Sequence, residues 1–335
     1  MKIDVIKNRN KFFILSSVVI LVGLVTALVL GFKYDIDFKG GTTIEANLKV
    51  DFNNVEIEKL VKETINKTAL VQKVGMEQTG VSITTDVISN DEAAKITTKL
   101  KEKYKGIEEP TLRNIQPAFG RELITSASFA IIAGLILILI YIFIRFRTMG
   151  MSAAISAIIA LMHDVLVMLA IYAIFRIPLN SIFVAAVLTI IGYSINDTIV
   201  VYDRIRENKR KMPKSSKEEV INVSINGIMK RCLYTSVTTF ACALVLYVCA
   251  VVNHQTVLRD FAFPLILGVI SGTYSSVCLA APIWYLFEKK NEIPVVAKKT
   301  NKVKEENKEE KVEVENSKKT TKTKKVSRAK RKNKK

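Results

Sequence analysis

A chain of 335 residues that is 49% hydrophobic and yet carries a formal net charge of +19 does not read as one soluble domain. The two properties sit apart: residues 289–335 hold 19 Lys and Arg against 7 Glu, so +12 of the +19 lies in the last 47 positions and the rest is apolar and near neutral. Cys232, Cys242, Cys249 and Cys278 fall in apolar runs without C-x-x-C or metal-ligand spacing, and His163 and His254 are the two histidines, so no disulfide framework, metal centre or bound cofactor is expected.

A bilayer core of about 30 Å needs about 20 apolar residues in a helix, because the backbone there must satisfy its own hydrogen bonds. Six stretches reach this length: 12–32, 123–144, 151–175, 182–202, 232–252 and 261–287. The first follows Lys2, Lys7, Arg9 and Lys11 as a signal peptide would, but it has full span length and no small-x-small cleavage pattern, which predicts a retained signal anchor.

The segment 33–122 reads as a strand over 42–50, a helix over 54–67, a hairpin over 70–87 turning near Thr79-Gly80, a helix over 91–105 and a strand over 111–116. Val81, Ile83, Thr85 and Val87 alternate with the two-residue period of a half-buried strand, and Asn90-Asp91 marks a helix start. The β-α-β-β-α-β order predicts a ferredoxin-like α+β sandwich.

Basic residues mark cytoplasmic loops. They cluster at the N-terminus, at Arg145 and Arg147, and from Arg204 through Lys217 to Arg231, whereas the opposite short loops carry Arg176 and Arg259. Both termini are therefore expected in the cytoplasm and 33–122 outside it. The expected organisation is an N-terminus and first span (1–32), an extracytoplasmic α+β domain (33–122), a five-helix membrane bundle (123–287) and a disordered basic tail (288–335). Lacking aromatic content, the tail cannot bury enough apolar surface to fold. Its end, 322–335, is either a contact for anionic lipid head groups or ribosomal RNA phosphates, or a solvated stretch that enforces topology.

An ionised side chain at mid-bilayer costs about 2.5–3.5 kcal/mol even on lenient scales, so each one needs a partner or a purpose. Asp164 lies 13 residues beyond Met151, about 20 Å along a helix, and Asp197 lies five residues before Tyr202. Because the fourth span descends and the fifth ascends, Arg231 is placed to meet Asp197 at similar depth. Asp197 reads as a proton-accepting site or as half of a structural ion pair with Arg231; Asp164 as a second proton site or a hydrogen-bonded structural carboxyl; His163 as a core residue or a relay; Arg231 as a partner cation or a snorkelling interfacial residue. Ala153, Ala157, Ala160 and Asp164 share one helix face, as do Ser194 and Asp197, and as do Arg231, Thr235, Thr238 and Cys242. Ser194, Asn196, Thr235, Thr238 and Thr239 are the expected supporting polar groups. Gly268 and Gly272 form a G-x-x-x-G close-packing signal.

As an ordered set, the blocks DIDFKGGT (35–42), IQPAFGREL (115–123), His163-Asp164, IGYSINDTIVVYDRIREN (191–208), Arg231 and TSVTT (235–239) resemble the SecF family of resistance-nodulation-division type transporters over about residues 1–287. Gln116 stands where a Gly is common and Cys232 where a Thr often follows the arginine; neither is an ionisable position of the pattern. The resemblance implies one six-span half of a two-half assembly, completed by a SecD-type subunit. It implies association with the SecYEG channel, and use of the proton motive force to move preproteins, with no enzymatic step. It further implies that Asp197 is the membrane proton site and Arg231 its partner. No G-x-x-x-x-G-K-[ST] loop is present to cradle a nucleotide. Gly40-Gly41 reads as a flexible joint or as a turn before the first strand. A small-molecule efflux half-transporter and a non-pumping translocon scaffold are the competing readings.

Overall fold

In the computed structural model the described residues are 4–75 and 79–289, so expectations for the basic tail lie outside them. The chain divides into Met1–Trp284, which holds the strands and long helices, and Tyr285–Lys335, of which the described residues 285–289 are helical.

Among the described residues six helices are long and apolar enough to cross a membrane. They are α1 (Arg9–Leu30), α5 (Pro117–Arg145), α6 (Met151–Ile174), α7 (Ser181–Lys211), α8 (Lys217–Val252) and α9 (Thr256–Ser275), the last followed by a π-turn (Ser276–Ala280) within a span of Thr256–Lys289. Half or more of the apolar windows of α6, α7 and the sixth span is buried, against 11%, 6% and 17% for α1, α5 and α8. The first three therefore form the centre and the others lie around it. Among the cysteines expected as buried hydrophobes, Cys232 is buried, but Cys242 and Cys249 sit on the outer face of α8 and are exposed.

Helices α7 and α8 are much longer than their apolar stretches, because α7 runs on to Lys211 and α8 starts at Lys217. These extensions bury Ile205, Ile221 and Ile225 between them and carry charge pairs on their outer faces. Arg204 pairs with Glu207 at 2.7 Å, Glu207 with Lys211 at 2.6 Å, and the Ser216 hydroxyl caps α8 through Glu219 N–H.

The segment between α1 and α5 folds as α2 (Ile36–Lys39), β1 (Gly41–Asn47), α3 (Asn54–Ile65), β2 (Ala69–Val74), β3 (Gly80–Thr85), α4 (Asn90–Lys103) and β4 (Thr111–Ile115). Its antiparallel sheet has the order β2-β3-β1-β4, the ferredoxin-like arrangement. Asn53 caps α3, and Ser89 with Glu92 closes a reciprocal capping box on α4. Ile44, Val81 and Ile83 from the sheet pack on Ile57 and Val61 of α3 and Ile96 of α4, all fully buried. Each such side chain is worth about 1.5–3 kcal/mol. Most ends fall within two residues of the sequence reading, with two larger differences. The first strand ends at Asn47, where Lys49 turns the backbone at φ 57°, and α2 was unforeseen because four residues carry no periodic signal.

The sheet domain meets the helices through a tight junction. Gly40 sits at φ 81° with Pro117 so near that a Cβ would lie 2.8 Å from the proline nitrogen, and a Cβ on Gly41 would lie 2.5 Å from Ile36 Cγ2. These two glycines thus occupy a packed turn. Leu179 N–H donates to Lys33 C=O and Asp35 N–H donates to Leu179 C=O, both at 2.8 Å, tying the α6–α7 loop to the end of the first span.

Candidate functional site

Close approach of the central helices is set by small residues. A Cβ at Gly268 would lie 2.4 Å from Ile190 Cγ1, and one at Gly272 would lie 3.0 Å from Ser194 Cβ, so the G-x-x-x-G run lets α9 pack directly on α7. On α6, Ala153, Ala157 and Ala160 are buried on the face that also carries Asp164.

That packing delivers three hydroxyls to one carboxylate. Asp164 is 1% exposed; Ser194 and Ser275 donate to its Oδ2 at 2.7 and 2.8 Å, and Ser271 donates to Oδ1 at 2.7 Å. His163 Nδ1 lies 3.2 Å from Oδ1, and its Nε2 lies 3.0 Å from the hydroxyl of Ser16 on α1. Beyond Ser16 the chain has a direction: Ser16 donates to Tyr274 Oη at 3.2 Å, and Tyr274 donates to Phe12 C=O at 2.8 Å. The His163 ring thereby bridges the Asp164 carboxyl and the Ser16 hydroxyl, joining α6 to α1. Further along the same wall, Ser276 donates to Ser194 C=O at 3.1 Å and meets Thr198 at 2.9 Å.

Asp197 is placed differently. It is buried on α7, yet its Oδ2 has no hydrogen-bond partner among the described residues. Among the described residues no ion pair joins Asp197 to Arg231, which is exposed on α8. Arg231 and Asn196, also exposed, line a cavity at the ends of α5, α7 and α8.

Of the supporting polar groups, Ser194 joins the Asp164 cluster, while Thr235, Thr238 and Thr239 bond carbonyls of their own helix, Arg231, Tyr234 and Thr235 respectively, at 3.1, 2.9 and 2.9 Å. Ser271, Ser275 and Ser16 were not singled out from the sequence. The first two carried a signal, hydroxyls at i and i+4 flanking the glycine face. Ser16 carried none, because a lone serine in an anchor helix is unremarkable and its partner lies 147 residues away.

Residues 95–290 match the family model described as the C-terminal part of the protein export membrane protein SecD/SecF. The protein translocase subunit SecF of Sebaldella termitidis is 35% identical over 293 residues, covering 86% of this chain and 93% of its own. The protein translocase subunit SecDF of Bacillus subtilis is 32% identical over 287 residues, covering 84% of this chain but 38% of its own length. A crystal structure of SecDF, a translocon-associated membrane protein from Thermus thermophilus, superposes with a TM-score of 0.74 at 27% identity, over 86% of this chain and 39% of that one. With its six membrane-length helices, the chain is a multi-pass membrane protein and belongs to the SecD/SecF family of protein export membrane proteins.

Proposed function

We propose that this protein is the SecF-type subunit of a Sec protein-export machinery, working with a SecD-type subunit at the SecYEG translocon to draw preproteins across the cytoplasmic membrane of a prokaryote. The SecD-type partner is supported by the SecDF relatives, in which this chain's length is matched by about two fifths of one longer chain. The sheet domain faces away from the cytoplasm and both termini face into it, as the basic loops require.

The driving step is proton exchange at Asp197, and the observation that carries it is the unpartnered Oδ2. A carboxyl oxygen buried without a donor accepts or releases a proton without breaking any existing hydrogen bond. The charged form is costly unless a cation approaches. Cycling between a protonated carboxyl and one paired with Arg231, swung inward, gives the bundle two packings. A proton crossing 100 mV supplies about 2.3 kcal/mol to bias them. Asp164, held by Ser194, Ser271, Ser275 and His163, is a second exchange point along the same helices.

The test is preprotein translocation into vesicles that contain the SecD-type subunit, this protein and SecYEG, with and without a protonophore. Asp197→Asn at wild-type abundance is expected to abolish the gradient-stimulated fraction and leave assembly intact. Full stimulation in that variant would remove Asp197 from the mechanism. Reporters fused after residue 121 or 253 are expected outside the cytoplasm, and those fused after 210 or 290 inside.

A further inference from the structure

A cavity of about 890 Å³ lies between the ends of α5, α7 and α8. Its lining changes character along its length. Along α7 the lining passes from Asn196, Ile199 and Val200 to Arg204, Arg206, Arg210 and Lys211, with Arg145 at the end of α5; on α8 Arg231 lies beyond Ile228, on the apolar side, and Asp203 and Glu207 are the acids. From Asn196 to Lys211 the lining runs along 16 residues of α7, about 22 Å of helix. That is about half the thickness of a bilayer counted with its head groups, or one leaflet.

The charge does not balance inside the cavity. Asp203 is shared by Arg145 at 2.9 Å and Arg206 at 2.8 Å, and Glu207 is shared by Arg204 at 2.7 Å and Lys211 at 2.6 Å. Each acid therefore already serves two cations. Arg210 and Arg231 take part in no ion pair among the described residues, and Arg204 Nε is buried without a hydrogen-bond partner. Four positive charges of the lining are unmatched. Arg204 lies across Gly227, where a Cβ would stand 3.6 Å from Nε, so the absence of a side chain there leaves room beside the guanidinium.

We propose that this cavity binds one anionic phospholipid from the cytoplasmic leaflet, its phosphate diester held by Arg210, Lys211 and Arg204 and its acyl chains lying along Ile199, Val200 and Ile228. The gradient from apolar to cationic along one leaflet's depth is that of a phospholipid, and an apolar helix of a partner would leave four cations buried without counter-charge. Basic pockets between spans on the cytoplasmic side are suited to anionic head groups. The proposal rests on the membrane orientation given above, but not on proton exchange at Asp197.

The experiment is native mass spectrometry of the SecD-type and SecF-type pair extracted from membranes and exchanged into mixed phosphatidylglycerol and phosphatidylcholine. The wild-type pair is expected to retain phosphatidylglycerol in preference to phosphatidylcholine. Joint substitution R210Q and K211Q, at exposed positions whose loss does not empty the core, is expected to weaken that retention about tenfold or more. Arg121→Gln, at the other membrane face, is expected to leave it unchanged, as is Asp197→Asn. Inorganic phosphate added as competitor separates a site for the whole lipid, which it fails to clear, from one for free phosphate, in which it displaces the lipid and overturns the proposal. Equal retention of both lipids, a lipid-free wild-type pair, or unchanged retention in the double variant would each overturn it as well. None of these outcomes depends on whether Asp197→Asn still responds to the gradient.

Discussion

The carboxylate of Asp37 accepts hydrogen bonds from both the backbone N–H and the hydroxyl of Ser181, the first residue of α7, with the N–H at 3.1 Å. Its other oxygen takes Arg113 of β4 at 3.1 Å, and the aspartate is 5% exposed. One buried group thereby joins the edge strand of the sheet to the helix that carries Asp197. An anion at the start of a helix is also favourable to the helix itself. Asp37→Ala is expected to destabilise the protein by about 1–3 kcal/mol, the cost of leaving buried donors unmade. Arg113→Ala is expected to cost less, because that side chain is 65% exposed. Thermal melting of the detergent-solubilised pair, followed by loss of the monodisperse species, ranks the two. An equal or reversed ranking would refute the account.

The pH dependence of the sheet domain and its junction has two components of opposite sign. Burial pushes the Asp35 carboxyl above the ordinary carboxylate range, partly opposed by the hydrogen bond from Ile36 N–H. Its contribution to stability is complete below the ordinary carboxylate pKa and is lost as pH rises through the raised one. Asp35→Asn, which keeps an acceptor for Ile36, is expected to melt at or above the wild-type temperature at neutral pH, with the difference closing in acid. Glu92 is held below the usual range, first by the Ser89 N–H of the capping box at 2.9 Å. Its contribution is present above the ordinary pKa and is lost as pH falls through the lowered one. Hydrogen exchange of α4 against pH is expected to lose its acid-dependent acceleration in Glu92→Gln.

The two membrane carboxyls differ in how they respond to neutralisation. Asp164 serves three hydroxyl donors and one imidazole, so Asp164→Asn turns one acceptor oxygen into a donor facing Ser194 and Ser275. It is expected to cost about 1–3 kcal/mol per orphaned group. Asp197→Asn breaks no bond at Oδ2 and is expected to be near neutral for assembly. His163→Phe is expected to resemble Asp164→Asn in stability, while His163→Gln recovers part of it by keeping a donor toward Ser16. Melting temperatures of the three variants in one detergent decide the order.

Close packing of α9 on α7 makes a steric prediction. Gly268→Leu is expected to destabilise by about 1–3 kcal/mol through overpacking against Ile190, and Gly272→Ala to cost less, where the nearest atom stands at 3.0 Å. Gly192→Ala meets nothing within 4 Å and is expected to be silent. Fraction of folded pair recovered on size exclusion is the readout.

Apolar length and alternation are local properties, and they made all six spans and the order of the sheet domain legible from the chain alone. The lengths of α7 and α8 were not, because past Tyr202 the helix is continued by Arg204, Glu207 and Lys211, which look like loop charge to a hydropathy scale. Depth along a span could be counted, so Asp164 and Asp197 were found. Direction around the helix axis relative to a neighbour could not, so the exposure of Arg231 against the burial of Asp197 was not legible. Asp37 stood within a recognisable run, but Ser181 lies 144 residues on and nothing local joins them.

The π-turn at Ser276–Ala280 holds one residue more than a regular helix of the same rise requires. It lets Ser275 face Asp164 while Ser276 faces Ser194 and Thr198, two adjacent hydroxyls aimed at different partners. Deleting a single residue there, Val277, would leave length, charge and hydropathy almost unchanged and return the stretch to ordinary winding, because the turn already holds the extra residue. The flanking contacts, Ser271 with Asp164 and the Trp284 indole with Met149 C=O at 3.4 Å, would keep their places. The π-turn is therefore where this membrane core absorbs a one-residue change of length, and the cost falls on the local pairs that Ser276 makes with Ser194 and Thr198.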